Sequence, residues 1–435
     1  MPRGPVLRRP PNVTRWARTD HGLLFPAEPD ALRVAGVEFL TTALHGFGTL
    51  DADNRVTAVT RFEECGGGST GRKALIDVEY LRPGLPTELF VKFSRDFDNP
   101  RRDRGKSQMD LEVRFAALST TTTLPVAVPV CLFGAYQAEA CTGVLITERI
   151  CYESAGIERH YDKCLDYTMP DQLGHYTALL SGVARLAGAH RAGHLPPSVD
   201  DEFRFDPERV TVGQRVRHSV AELADRIRRL AEFAAEHPGL LPEVANSAGF
   251  VDRMLADVGR IAAAEDTVLA WLRDTDAHSA LCHWNANVDN AWFWREHDGS
   301  LQCGLMDWGC VSIMNVAMAL WGSLCSAETD LWRDHLDELL EHFATEHAAA
   351  GGPALELSLL RTQLMLYVAV MAVAWLLEVP DYVRTAVPDL ADVADRRDPR
   401  IAGTEAVRAP LLMLSNALYL WDTEDFGALL DRMPT

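Results

Sequence analysis

Apolar and polar positions recur along the chain with two different periods, and the switch between them divides it. Residues 31–49 (ALRVAGVEFLTTALHGFGT) carry apolar side chains at helical spacing and stop at glycines, which predicts one amphipathic helix. From Val56 to Phe93 the period falls to two. VTAVTRF, a glycine cluster, KALIDVEYL, and TELFVKF after the turn-forming Arg82-Pro83-Gly84 predict a small antiparallel sheet. In KALIDVEYL, Ala74, Ile76, Val78 and Tyr80 share one face, as in a half-buried strand. A charged loop, SRDFDNPRRDRGKSQ, leads into MDLEVRFAAL, where Leu111, Phe115 and Leu118 form the stripe of a helix. Two more strands are expected in VPVCLFGAY and TGVLITERI.

After Cys151 the helical period takes over almost to the end, over residues 171–193, 216–235, 249–274 and 355–378. One interruption reads as a hairpin: AWFW and LQCGLM flank Glu296-His297-Asp298-Gly299-Ser300. The longest apolar run, Leu364 to Leu377, falls short of the roughly 20 residues of a membrane-crossing helix, so a buried core helix is expected. No repeat or low-complexity segment is visible.

Composition narrows the function classes. The 435 residues are enough for two or three lobes, and 47% hydrophobic with 24% charged residues is an ordinary globular balance. Lys+Arg 42 against Asp+Glu 62 gives a net charge of −20, which argues against nucleic acid and anionic membranes as partners. Nine cysteines, an odd number with no CxxC pair, fit a reducing, cytoplasmic compartment. The start, with its Arg and Pro residues, lacks the apolar run of a secretory signal and is expected to be a loose surface arm.

Three segments carry candidate chemistry. The cluster Cys65-Gly66-Gly67-Gly68-Ser69-Thr70-Gly71-Arg72-Lys73 satisfies GxGxxG, and its backbone N–H groups can approach a phosphate closely. A dinucleotide fold or Walker loop would continue into a helix; here a strand follows, the arrangement that covers ATP phosphates in kinase-type folds. A plain glycine-rich hairpin turn explains the cluster equally well when it is taken alone. Lys92 sits inside the apolar strand Leu89-Phe90-Val91-Lys92-Phe93, where a lysine is costly unless it meets an anion. Glu112, beside the stripe of the next helix, is the expected partner, and such a Lys–Glu pair holds the α/β-phosphates in kinases. The alternative is a snorkelling lysine and a solvated glutamate.

The third segment runs Leu281-Cys282-His283-Trp284-Asn285-Ala286-Asn287-Val288-Asp289-Asn290, and after the hairpin comes Gly304-Leu305-Met306-Asp307-Trp308-Gly309. It resembles the aminoglycoside phosphotransferase and ecdysteroid/choline-kinase-like group of the protein-kinase-like fold, whose loop reads H-G-D-x-x-x-x-N and whose second motif is I-D-[WF]. With the glycine turn, Lys92, Glu112 and the hinge-like strand ending in Glu148, the resemblance spans about residues 55–325. It implies an α+β, bilobal protein-kinase-like fold: an arm and helix over 1–54, a small antiparallel-sheet N-lobe over 55–150, and a large, mostly helical C-lobe over 151–435. It further implies ATP and Mg²⁺ as cofactors, with Gly66, Gly67, Gly68, Lys92, Glu112 and Glu148 at the nucleotide. Asn290 and Asp307 would hold the metal, and His283, Asn285 and Asp307 would sit at the reaction centre. The implied substrate is a small, fairly apolar hydroxylated metabolite, steroid- or terpenoid-like by analogy with ecdysteroid kinases.

The sequence departs from the family where chemistry is decided. Asn285 stands at the catalytic aspartate and Trp284 at the glycine that follows the motif's histidine. A neutral amide cannot act as a base, a contribution typically worth about 10²–10⁴ in rate. Asp289 is the nearest replacement carboxylate, though its position beside Asn290 can turn it away. A second expectation therefore stands beside the phosphotransferase: a degenerate or repurposed kinase fold that binds a ligand or performs other chemistry. Loop-forming asparagines and core tryptophans explain some of these residues without chemistry, but not Asp307 at the end of a paired strand.

Overall fold

The computed structural model describes residues 15–19, 22–68, 70–206 and 215–433, so most of the arm and Ser69 of the glycine cluster lie outside the described residues. The chain forms two compact units, one running to Thr123 and resuming over Pro129–Ile150, the other comprising Leu124–Val128 and Cys151 onward. The architecture is α+β, with a five-stranded sheet in the first unit and a mostly helical second unit.

The sheet is antiparallel throughout, ordered Val56–Cys65, Arg72–Tyr80, Glu88–Phe93, Thr142–Glu148, Cys131–Gln137. Its two faces are covered by different helices. Ala74, Ile76 and Val78 of one strand and Leu89, Val91 and Phe93 of the next alternate inward on one face. There they join a core with Phe39, Leu40, Ala43 and Leu44 of helix Pro29–Phe47. The helix expected to belong with the arm thus packs on the sheet, and no boundary between units falls at residue 54. Helix Gln108–Thr121 covers the other face, with Met109 packed on Cys131 and Leu145. Leu145 is the register partner of Lys92, so the lysine stands on the face that this helix covers.

In the second unit, helix Gln172–Arg191 packs on Thr329–Ala349 and on two short antiparallel ribbons. One is the expected hairpin, Ala291–Arg295 with Leu301–Leu305. The other was not apparent from the pattern: Ser279–His283 pairs with Val311–Asn315, setting His283 opposite Val311. Helices Val316–Leu324, Thr329–Ala349, Leu357–Ala374 and Glu405–Thr423 complete the core. Leu357–Ala386 is apolar and long enough to cross a membrane, with a mean hydropathy of 1.7 in its best window, yet 83% of that window is buried in the protein.

Candidate functional site

In the first unit the glycine turn joins the strands Val56–Cys65 and Arg72–Tyr80. Gly71 has φ +55, and a Cβ there would lie 1.8 Å from the carbonyl oxygen of Phe93, so only glycine fits. The turn's carbonyls are tied back by cations. Arg102 donates to Gly71 O at 2.6 and 2.9 Å and to Gly68 O at 3.0 Å, while Lys73 Nζ donates to Gly67 O at 3.1 Å. Among the described residues, the N–H groups of Gly67 and Gly68 donate to no carbonyl or side chain. A turn with its carbonyls engaged and its N–H groups open has the polarity of an anion cradle.

Lys92 Nζ lies 2.7 Å from Glu112 Oε2, and each side chain is 7% exposed. The pairing follows from location: the strand's alternation turns Lys92 toward helix Gln108–Thr121, and Glu112 follows Leu111 on its inward side. Two charges so deeply buried cost several kcal/mol each unless they meet, which makes the contact strongly directed. Glu148 ends its strand with Oε1 accepting from the N–H of Val130 at 2.9 Å.

In the second unit the two ribbons bring the motif segments together. His283 ends the strand Ser279–His283 and is fully buried. Its Nδ1 accepts from the N–H of Asn285 at 3.2 Å and its Nε2–H donates to Met306 O at 2.8 Å, which defines a neutral tautomer. Met306 N–H in turn donates to Asn290 O at 2.9 Å. One buried imidazole and one backbone bond thereby join the loop after His283 to the residue preceding Asp307. Asp307 itself adopts φ 62, ψ 60, a left-handed conformation uncommon for a residue with a side chain.

The loop is held by its own amides. Asn290 Nδ2 donates to Asn285 O at 2.9 Å, so its Oδ1 points elsewhere and has no hydrogen-bond partner among the described residues. Asn287 Nδ2 donates to Asn285 Oδ1 at 2.8 Å, and Ser326 Oγ to Asn287 Oδ1 at 2.5 Å.

A residue that the sequence reading passed over completes the group. Lys163 Nζ donates to Asn285 Oδ1 at 3.3 Å and lies 4.0 Å from Asp289 Oδ1, an atom with no hydrogen-bond donor. Burial, the largest single effect, disfavours its charged form, but the surrounding acidic groups together, Asp289 foremost, outweigh it and raise the ammonium pKa. The segment is pinned on both sides, by Arg408 Nε donating to Lys163 O at 2.7 Å and by His160 Nε2–H donating to Asp289 O at 3.1 Å. A signal was present: only four of the 42 basic residues are lysines, and both Lys92 and Lys163 are buried at candidate groups. Nearby, buried Asp166 accepts from Tyr176 Oη at 2.7 Å, with its other oxygen and Glu328 Oε1 lacking donors.

No protein-family model matches the chain, and no curated protein matches it. Solved structures do. Spectinomycin phosphotransferase APH(9)-Ia, in complex with ADP and spectinomycin, is 12% identical with a TM-score of 0.42 over 86% of this chain and 94% of that one. Choline kinase from Cryptosporidium parvum Iowa II is 11% identical with a TM-score of 0.43, over 85% and 91% of the two chains. A microcompartment-associated aminopropanol kinase is 12% identical with a TM-score of 0.40, over 87% and 98%.

Proposed function

We propose that the chain is a phosphotransferase that uses ATP and Mg²⁺ to phosphorylate an oxygen of a small, fairly apolar molecule. The observation that supports this most directly is the buried Lys92–Glu112 pair on the strand following the glycine turn. A lysine held this way is suited to the α/β-phosphates, with Glu112 fixing its rotamer, while Gly66, Gly67 and Gly68 offer backbone N–H groups to the same phosphates. Glu148 closes the strand expected to border the base.

Asn290 and Asp307 offer the carbonyl and carboxylate oxygens that Mg²⁺ prefers, and the unpartnered Asn290 Oδ1 fits that assignment. When bound there, Mg²⁺ would neutralise charge on the transferring phosphoryl group. His283 has both ring nitrogens engaged and serves to position the loop and Asp307 rather than to carry protons. Asn285 would orient the acceptor. The nine free cysteines suit a reducing compartment such as the cytoplasm.

One observation favours a second reading. The neutral Asn285, where a base is expected, suits a kinase fold that binds nucleotide or metabolite without transferring phosphate to a hydroxyl. Calorimetric titration with ATP separates the first step. Binding that tightens at least tenfold with Mg²⁺ supports a working nucleotide site. ATP binding that is absent, or indifferent to Mg²⁺, overturns the phosphotransferase.

A further inference from the structure

A site that activates a hydroxyl places a negative charge or a basic lone pair beside it. The loop after His283 does the opposite. Asn285 is neutral, and its Oδ1 is occupied by two donors, Lys163 Nζ and Asn287 Nδ2, so it is poorly placed to accept a hydroxyl proton. The nearest charge is a cation: the Lys163 ammonium, on a side chain only 11% exposed. Among the described residues it makes one hydrogen bond, to Asn285, and Asp289 Oδ1 at 4.0 Å is too far for a second. Two of its three N–H donors remain available.

We propose that Lys163 and Asn285 form an anion-accepting site, and that the acceptor presents a carboxylate to the phosphoryl donor. The inference rests on the ATP-dependent reading above and narrows its acceptor. A carboxylate is already deprotonated at neutral pH, so its attack needs no base, and an amide in place of the aspartate removes the charge that would repel it. In the step, a carboxylate oxygen forms a bond to the γ-phosphorus of ATP while the bond from that phosphorus to the β,γ-bridging oxygen breaks. ADP departs with the electron pair, an acyl phosphate results, and no proton is released to the protein. Lys163 contributes by holding the attacking anion, and Asn285 by spacing it through the shared hydrogen bond. A phosphate dianion fits less well, because the Asp289 carboxylate already sets an acidic oxygen 4.0 Å from this one ammonium.

Matched probe pairs test this: cyclohexanecarboxylate against cyclohexylmethanol, phenylacetate against 2-phenylethanol, octanoate against octanol. Thermal unfolding is followed with Mg²⁺ and ADP, and acyl phosphate formed from Mg²⁺ and ATP is trapped by hydroxylamine as the hydroxamate. The expected result is a rise in midpoint with at least one carboxylate and not with its alcohol. That rise should vanish in Lys163→Met and survive in Lys163→Arg, with hydroxamate at least tenfold lower in the first variant. An alcohol that stabilises as well as its carboxylate, no shift with any of the three carboxylates, or a shift indifferent to Lys163→Met overturns the inference. The wild-type pairs alone decide it if Lys163→Met does not fold. A shift with Mg²⁺ and ADP, measured without probes, is the separate sign that the nucleotide reading stands.

Discussion

The side-chain oxygen of Asn285 accepts a hydrogen bond from the buried ammonium of Lys163 at 3.3 Å. A cation thus contacts the residue proposed to orient the acceptor. Asn285→Asp would turn this contact into an ion pair in a partly desolvated setting and supply a carboxylate beside the acceptor position. The variant should be at least as stable as wild type, and its ATP hydrolysis, with water as acceptor, should rise at least tenfold, the lower side of typical base contributions. Steady-state ADP release measures this; an unchanged or lower rate would mean that the loop does not place residue 285 at the reaction centre.

The Lys92–Glu112 pair should show the asymmetry of buried charge. Glu112→Gln leaves Lys92 without its carboxylate and should cost about 3–5 kcal/mol in urea unfolding. Lys92→Met combined with Glu112→Leu removes both charges and should recover a large part of that loss. Additive losses from the two single changes would contradict the pairing.

Two neighbouring glycines should respond differently. Gly71→Ala forces a Cβ against Phe93 O at positive φ and should lose at least roughly 2 kcal/mol. At Gly66 a Cβ would meet nothing within 4 Å, so Gly66→Ala should stay within about 0.5 kcal/mol of wild type. Equal effects on the denaturation midpoint would argue against this turn geometry.

Asp166 makes stability depend on pH. Burial, opposed by the Tyr176 hydrogen bond and reinforced by the Glu328 and Asp289 carboxylates, pushes its pKa from 3.8 up to about 7. Between those values the folded protein holds a proton that the unfolded chain has released, so this residue's contribution falls as pH rises from about 4 to about 7. Asp166→Asn should match wild type near pH 4 and exceed it by a few kcal/mol at pH 8. Parallel stability curves for the two proteins would contradict a protonated Asp166.

Much of the first unit was legible because its signals are local. A lysine among Leu89, Phe90, Val91 and Phe93 demands a counter-charge, and the next helix supplies one at Glu112. Alternation in Arg72–Tyr80 and Glu88–Phe93 showed which face is buried, although the docking of Pro29–Phe47 on that face was not visible, since it depends on contacts with distant strands. The second unit hid more. Ser279–His283 and Val311–Asn315 are too short to show a period, and their pairing spans the whole hairpin between them. Lys163 lies in an irregular polar stretch, and its place is set by Arg408 on the helix Glu405–Thr423 and by a loop far along the chain. Spacing along a sequence carries no record of such contacts.

The central claim is the proposal that the chain binds ATP with Mg²⁺ and needs Asp307 to do so. It is tested most directly by thermal unfolding with saturating ATP, with and without Mg²⁺, in wild type and Asp307→Ala. Saturation at a hundred times the dissociation constant stabilises a folded protein by about 2.7 kcal/mol. The account predicts a rise of several degrees in wild type that requires Mg²⁺ and is lost in Asp307→Ala. No rise at saturating ATP, or the same rise without Mg²⁺ and in the variant, would contradict it.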